Sequence, residues 1–311
     1  MKKRTVNIIF ILIVICALAY LLAKPEQFLI LKNVSWMNLL FLLFLSCMAI
    51  LVNAWQFRHL CMIFDIRLTF TEWFGLTVCT SMYNYFTPAS GGAVARAVYL
   101  KQRHDFPFSE YASLWAGIYW VSFFISSSLA LVLGLACYSP SDEYCLPVVV
   151  VAALLLIGTI TAGAVSLFFD LSRIPLPGAR LRNMASTFSS GLKRFRNSRR
   201  MLLPVCFFCL GFLFLSAVKL YFAFESLGIS VSLMKVILVQ AFLSVSLVIS
   251  ITPGNLGIRE GIVGLFSGIL GISVEQAVIG ALLDRVVSLV VVFVLGFVYS
   301  RLLLNDMREK E

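Results

Sequence analysis

Apolar runs at about 37–57, 111–137, 146–169, 202–224 and 276–300 each reach the roughly 18–20 residues an α-helix needs to cross a bilayer. A single water-soluble core has no use for so many. The composition agrees: 60% of the 311 residues are apolar and 13% are charged, against about 45–50% and a quarter in soluble domains. Mean hydropathy is +0.96. A soluble enzyme, a secreted disulfide scaffold and a disordered chain are excluded. The chain reads as an all-α polytopic integral membrane protein, with residues 1–311 forming one transmembrane domain.

The net charge of +10, from 25 Lys and Arg against 15 Asp and Glu, would suggest nucleic acid in a soluble domain. In a membrane protein it reflects basic residues gathering in cytoplasmic loops, so no nucleic acid partner is expected. Segment 173–200 carries Arg173, Arg180, Arg182, Lys193, Arg194, Arg196, Arg199 and Arg200 and is assigned to the cytoplasm as a basic loop. Loop 138–145 holds Asp142 and Glu143 without a base and is placed outside. Lys2-Lys3-Arg4 followed by the apolar run Val6 to Ala23 resembles a signal peptide. The run continues past the candidate cleavage site, however, and is long enough to span. An uncleaved first helix is expected, with both termini cytoplasmic and the chain in the inner membrane. A lipoprotein reading of Cys16 fails because Ile15 precedes it. Cys206 and Cys209 sit in an apolar run and read as packing rather than a metal pair. Cys137 and Cys145 flank the acidic loop and are candidates for a bridge. No metal site and no cofactor are expected.

Two apolar stretches are interrupted. Residues 73–101 break at Thr87-Pro88-Ala89-Ser90-Gly91-Gly92, and residues 235–271 break at Thr252-Pro253-Gly254-Asn255-Leu256-Gly257. Proline removes a backbone donor and glycine weakens a helix, so both interruptions should be real. Arg58 and Arg67 precede the first stretch, while Arg96, Lys101 and Arg103 follow the break. Both ends then lie in the cytoplasm, which makes the stretch a hairpin dipping from inside. Counting crossings makes the second a hairpin dipping from outside.

The two stretches belong to an internal repeat, about 55–134 and 216–296. Pro88 and Gly92 recur as Pro253 and Gly257 at the same offset. Three crossings separate the copies, so they are inverted. Inverted repeats with broken helices point to a transporter's substrate site.

Several residues are candidates for that site. A helix starting after Gly91-Gly92 or Gly257 offers free N–H groups and a positive dipole end, a seat for phosphate or carboxylate. Arg96 and Arg259 follow within about a turn; the alternative is that these breaks only kink helices for packing. Glu260, Asp284 and Arg285 add intramembrane charge, each worth roughly 2.5–3.5 kcal/mol if unpaired. Neighbours on a helix diverge by about 100°, so pairing across helices is expected: Arg259 with Asp284 and Glu260 with Arg285, lining a polar cavity or forming a structural latch. Asn84 and Asn255 either bind a headgroup or cap freed backbone. Lys219 and Glu225, near the end of a span, read as snorkelling side chains. Tyr83, Tyr85, Phe86, Tyr119 and Trp120 either line a lipid-chain path or anchor and pack.

These motifs resemble the lysylphosphatidylglycerol synthase transmembrane, or flippase-like, family. The run Asn84 to Gly92 continuing through Arg96 to Leu100 is similar to its first signature. Pro253 to Gly261 is similar to its second, and Asp284-Arg285 to its third. Ala93 departs from the pattern, where many relatives carry an acidic residue. The resemblance implies movement of a lipid between leaflets, and association of stand-alone members with hopanoid, glycolipid or polysaccharide pathways. It implies no aminoacyl transfer, which belongs to a separate soluble domain.

The expected function is therefore translocation of an anionic or phosphate-bearing (glyco)lipid, the membrane lipid being the substrate and a synthase a possible partner. Its headgroup would sit between the hairpin tips near Arg96 and Arg259. The alternatives are a membrane-embedded lipid-modifying enzyme and an accessory subunit of a synthesis complex. An enzyme is disfavoured because His59 and His104 lie far apart in the chain and no G-x-S-x-G turn occurs. No Walker motif suggests ATP hydrolysis. Glu260 and Asp284 are the candidates for carrying a proton.

Overall fold

The computed structural model describes residues 34–87, 91–137, 145–168, 179–246 and 252–308. The run Val6 to Ala23 with Cys16, the pair Asp142-Glu143, and Pro88 lie outside the described residues. Regular structure among the described residues is helical, as a bilayer demands, because a helix satisfies its backbone groups within the segment.

The helices are α1 (Trp36–Ile63), α2 (Phe70–Phe86), α3 (Gly91–His104), α4 (Phe108–Ala136), α5 (Cys145–Phe168) and α6 (Ala179–Asn197). They continue as α7 (Arg199–Ser226), α8 (Leu233–Ser246), α9 (Ile258–Leu265), α10 (Ser267–Leu270) and α11 (Val274–Arg308), with a 3₁₀ turn at Pro253–Asn255 before α9. Five of these, α1, α4, α5, α7 and α11, are long and apolar enough to cross a membrane. They coincide with the five runs read from the sequence.

Both broken stretches fold as hairpins, and they enter from opposite ends. The first is α2 and α3. Its feet meet where Phe64, before α2, packs edge-on against Phe106, after α3, at 5.4 Å. Asp65 at the same end is paired with Arg194 of α6. The second hairpin is α8, the 3₁₀ turn, α9 and α10. Lys235 near the start of α8 and Ile269 of α10 share a 200 Å³ pocket with Gly134, Cys137 and Cys145, at the far end of α4 and the start of α5. The chain thus enters and leaves the second hairpin at the end opposite the feet of the first.

Each hairpin packs against an apolar core. Phe57, Leu60, Leu100 and Leu114 are almost wholly buried in the first, and Leu220, Phe224, Val236 and Val263 in the second. In lipid such contacts act through packing rather than exclusion of water.

Three expectations change. Segment 173–200 is not simply a loop: residues 179–197 are helix, with Ala185, Ser189 and Phe195 buried and Gly191 resting on Ser113 of α4. Its basic residues Arg182, Arg194 and Arg196 are exposed, so one helix serves packing and charge at once. The returning limb of the second hairpin is split at Phe266, and Gly271 in the left-handed conformation ends it. Cys137 and Cys145 are free thiols, the Cys145 sulfur donating to the Cys137 carbonyl at 3.4 Å.

Candidate functional site

The second break is held by charge. Gly254, Asn255 and Gly257 all take positive φ, at 60°, 59° and 81°, which turns the chain sharply after Pro253 and starts α9 at Ile258. The new helix then needs partners for its first N–H groups. Glu260, three residues after Gly257, supplies one by accepting the Gly257 N–H at 2.9 Å. The anion seat expected at this helix start is therefore filled by the chain's own carboxylate.

From α11, Arg285 reaches the same turn. Its Nε lies 2.5 Å from Glu260 Oε1, and its two terminal nitrogens donate to the carbonyls of Gly254 at 2.9 Å and Asn255 at 3.2 Å. One helical step away, Asp284 faces elsewhere. It is wholly buried, and accepts from Arg259 Nη2 at 2.5 Å. Both cross-helix pairs expected from the sequence are present.

Lys219 was read as snorkelling, and the structure corrects this. It is buried on α7, with Nζ 3.3 Å from Asp284 Oδ1 and donating to Ser288 Oγ at 2.7 Å. Its place within an apolar run was a signal of burial as much as of snorkelling; only the packing of α7 on α11 decides between them. Lys219, Arg259 and Arg285 thus meet Asp284 and Glu260 in one cluster linking α7, α9 and α11.

The first break is built differently. Its helix, α3, spans Gly91–His104, and the offset that matches Gly92 to Gly257 places Ala95 opposite Glu260, so no carboxylate stands there. The Gly92 N–H is accepted instead by Asn84 Oδ1 at 2.9 Å, so Asn84 caps backbone. Gly92 is required by close approach: a Cβ there would stand 2.1 Å from the Thr80 carbonyl oxygen. Arg96, 3% exposed, donates from Nε to Thr80 Oγ1 at 2.8 Å. Its guanidinium lies over the rings of Phe57 at 4.3 Å and Trp115 at 5.3 Å, while Nη1 has no hydrogen-bond partner among the described residues. Among the described residues no carboxylate pairs with it. Arg96 also lines a 280 Å³ cavity with Thr80, Tyr83, Gly92, Gln102 and Ser300.

The hairpins touch at their breaks. The Tyr85 ring, from the end of α2, packs on Gly254, where a Cβ would come within 2.3 Å of it. Arg96 and Arg259 are not brought together: one is enclosed by α1, α2 and α4, the other by α11. The aromatic candidates do not form one path. Phe86 packs on Phe293, Tyr119 on Trp115 and Phe123, and Trp120 donates to the Thr159 carbonyl.

The feet of the first hairpin hold a group the sequence reading missed. Glu72 is 3% exposed and accepts from the Thr69 N–H at 2.9 Å, from Tyr99 Oη at 3.3 Å and from Arg103 Nε at 3.2 Å. His104 Nε2 stands 3.1 Å away. The Thr-x-x-Glu spacing of a capping box was the available signal. Glu72 lies outside the five spans. Burial by itself raises its carboxyl, but the hydrogen bonds from Thr69 and His104 outweigh burial and hold it below the usual value. A carboxylate lowered by folding stabilises above its unfolded pKa, and this contribution is lost as pH falls through the folded value. Wild-type protein in detergent should therefore lose thermal stability below about pH 4. Glu72→Gln should flatten that slope and cost about 1.5–3 kcal/mol at neutral pH. An unchanged melting curve would remove Glu72 as the clamp.

A family model for the lysylphosphatidylglycerol synthase TM region matches residues 4–296, a range that includes both hairpins and the whole charged cluster. The chain belongs to the lysylphosphatidylglycerol synthase transmembrane family. It is also 30% identical, over 112 residues, to a UPF0104 membrane protein of Methanothermobacter thermautotrophicus. That match covers 36% of this chain and about a third, 32%, of the archaeal protein. Within this family member, then, the two breaks are chemically unequal: the second is neutralised largely from within, and the first leaves a buried cation without a counter-charge among the described residues.

Proposed function

We propose that this family member translocates an anionic or phosphate-bearing lipid, glycolipids included, between the leaflets of the inner membrane. The observation that carries this reading is Arg96, a buried guanidinium at the first break with no carboxylate among the described residues to answer it. A charge held in such surroundings is costly unless paired, and a lipid phosphate supplies the missing partner. Phe57 and Trp115 hold the guanidinium in place by cation–π contact, worth about 0.5–2 kcal/mol.

The headgroup would enter from the cavity between the first hairpin and α11, with its acyl chains left in the bilayer. Rocking of one repeat against the other, about the contact of Tyr85 on Gly254, would present the group to each leaflet in turn. The charged groups of the second repeat engage one another, which suits a carrier better than a catalyst. In this reading a separate synthase supplies the lipid.

The test is leaflet exchange of labelled lipids in proteoliposomes, using phosphatidylglycerol, an aminoacylated form, a zwitterionic lipid and a polyprenyl phosphate. Anionic lipids should exchange above empty vesicles. Arg96→Gln should slow them on the order of tenfold, the loss of one charge-assisted hydrogen bond, with partial recovery in Arg96→Lys. Equal rates for the zwitterionic lipid, or a rate indifferent to Arg96→Gln, would sink the assignment.

A further inference from the structure

The cluster of the second repeat carries three basic side chains, Lys219, Arg259 and Arg285, against two acidic ones, Asp284 and Glu260. Counted over the described residues, this group holds one more positive charge than negative. Arginine does not lose its proton in proteins. Each carboxylate is already engaged by a guanidinium at 2.5 Å, so protonating either one would only increase the excess. The ammonium of Lys219 is the single member whose proton loss makes the cluster neutral.

We infer that Lys219 is the proton-exchanging group of this protein, and that one proton binds and leaves there in each cycle. The assignment moves the role away from Asp284 and Glu260, where the sequence had placed it. It rests on the translocation reading given above.

The surroundings suit the task. The charged or titratable groups facing Lys219 are Asp284 on α11, Arg259 on α9 and the Cys47 thiol on α1. Ser288 Oγ receives the Lys219 proton donor at 2.7 Å and itself donates to the Asp284 carbonyl at 2.8 Å, so the amine keeps a polar neighbour. Lysine is also the basic side chain that burial most readily converts to its neutral form. The cluster joins three helices, two of them in the second hairpin's return and the final span. Separation of α7 from α11, the two helices that carry Lys219 and Asp284, opens the amine to water, where its proton is released or taken up. No bond other than N–H is made or broken, and water on the open side accepts or supplies the proton.

Proteoliposomes holding a trapped pH dye, with an imposed pH gradient, read lipid exchange and proton movement together. Wild type is expected to move protons along with lipid, and to shift the leaflet distribution by up to about tenfold per unit of gradient. Lys219→Met and Lys219→Arg are both expected to lose the proton signal and the response to the gradient. The arginine variant keeps a cation on Asp284, so it separates proton exchange from simple loss of the ion pair. Proton movement that persists in either variant, or wild-type exchange with no proton signal, overturns the inference and leaves translocation standing. Loss of exchange without any wild-type proton signal would make Lys219 an anion anchor instead. Absence of wild-type exchange under every gradient overturns both readings.

Discussion

Asp284→Asn should be among the most damaging single changes in this protein. The carboxylate is wholly buried and answers two cations, Lys219 at 3.3 Å and Arg259 at 2.5 Å. An amide of the same shape leaves both facing a neutral group. Breaking a buried ion pair from one side costs roughly 3–5 kcal/mol, a large share of the stability of an ordinary domain. The expected result is a large fall in melting temperature in detergent, with poor recovery from the membrane. The companion variant makes this specific. Adding Lys219→Met to Asp284→Asn removes one cation with the anion and should restore much of the loss, giving a coupling energy that a double-mutant cycle reads directly. Additive losses would mean that the two side chains do not act on each other. Exchanging Arg259 and Asp284 should rescue poorly, because the arginine placed at 284 would face Lys219.

Gly92→Ala is the second change with a large expected effect, and its cause is purely steric. The added methyl would stand 2.1 Å from the Thr80 carbonyl oxygen and 2.7 Å from Asn84 Oδ1. The first of these is backbone and cannot rotate away. To admit the methyl, α3 must separate from α2, breaking the Asn84 cap and the bond from Arg96 to Thr80. Overpacking typically costs about 1–3 kcal/mol, and this site should lie at or above the top of that range. Gly158 and Gly211 serve as controls, since a Cβ at either meets nothing within 4 Å. Alanine there should be neutral or slightly stabilising, by up to about 1 kcal/mol. If Gly92→Ala melts with the controls, the tight crossing of α2 and α3 is wrong.

Much of this architecture is legible in the sequence, and for a physical reason. Hydrocarbon tolerates few structures, so run length gave the spans, and proline with glycine gave the breaks. Arg259, Glu260, Asp284 and Arg285 could be paired on paper because a bilayer forces buried charges to find each other and helix geometry limits the choices. Lys219 escaped because a lysine near a helix end either snorkels or buries, depending on how its helix lies against the next. Arg96 was seen, but its isolation was not: a missing partner is a property of every surrounding helix. Glu72 was missed although its capping-box spacing stood in the sequence, because its burial depends on Tyr99, Arg103 and His104 arriving from α3. The anion seat at Gly257 was misjudged because Glu260 was assigned wholly to Arg285, and its second oxygen caps the helix.

The ion pair and two hydrogen bonds of Arg285 bear on how force travels through the molecule. A guanidinium joined to Glu260 and to the carbonyls of Gly254 and Asn255 splints the bend it spans, so this kink is a stiff elbow and not a swivel. Tyr85 rests on that elbow. A twist of the long final helix is therefore delivered, without slack, to the tip of the opposite hairpin, which makes α11 the crank of the assembly.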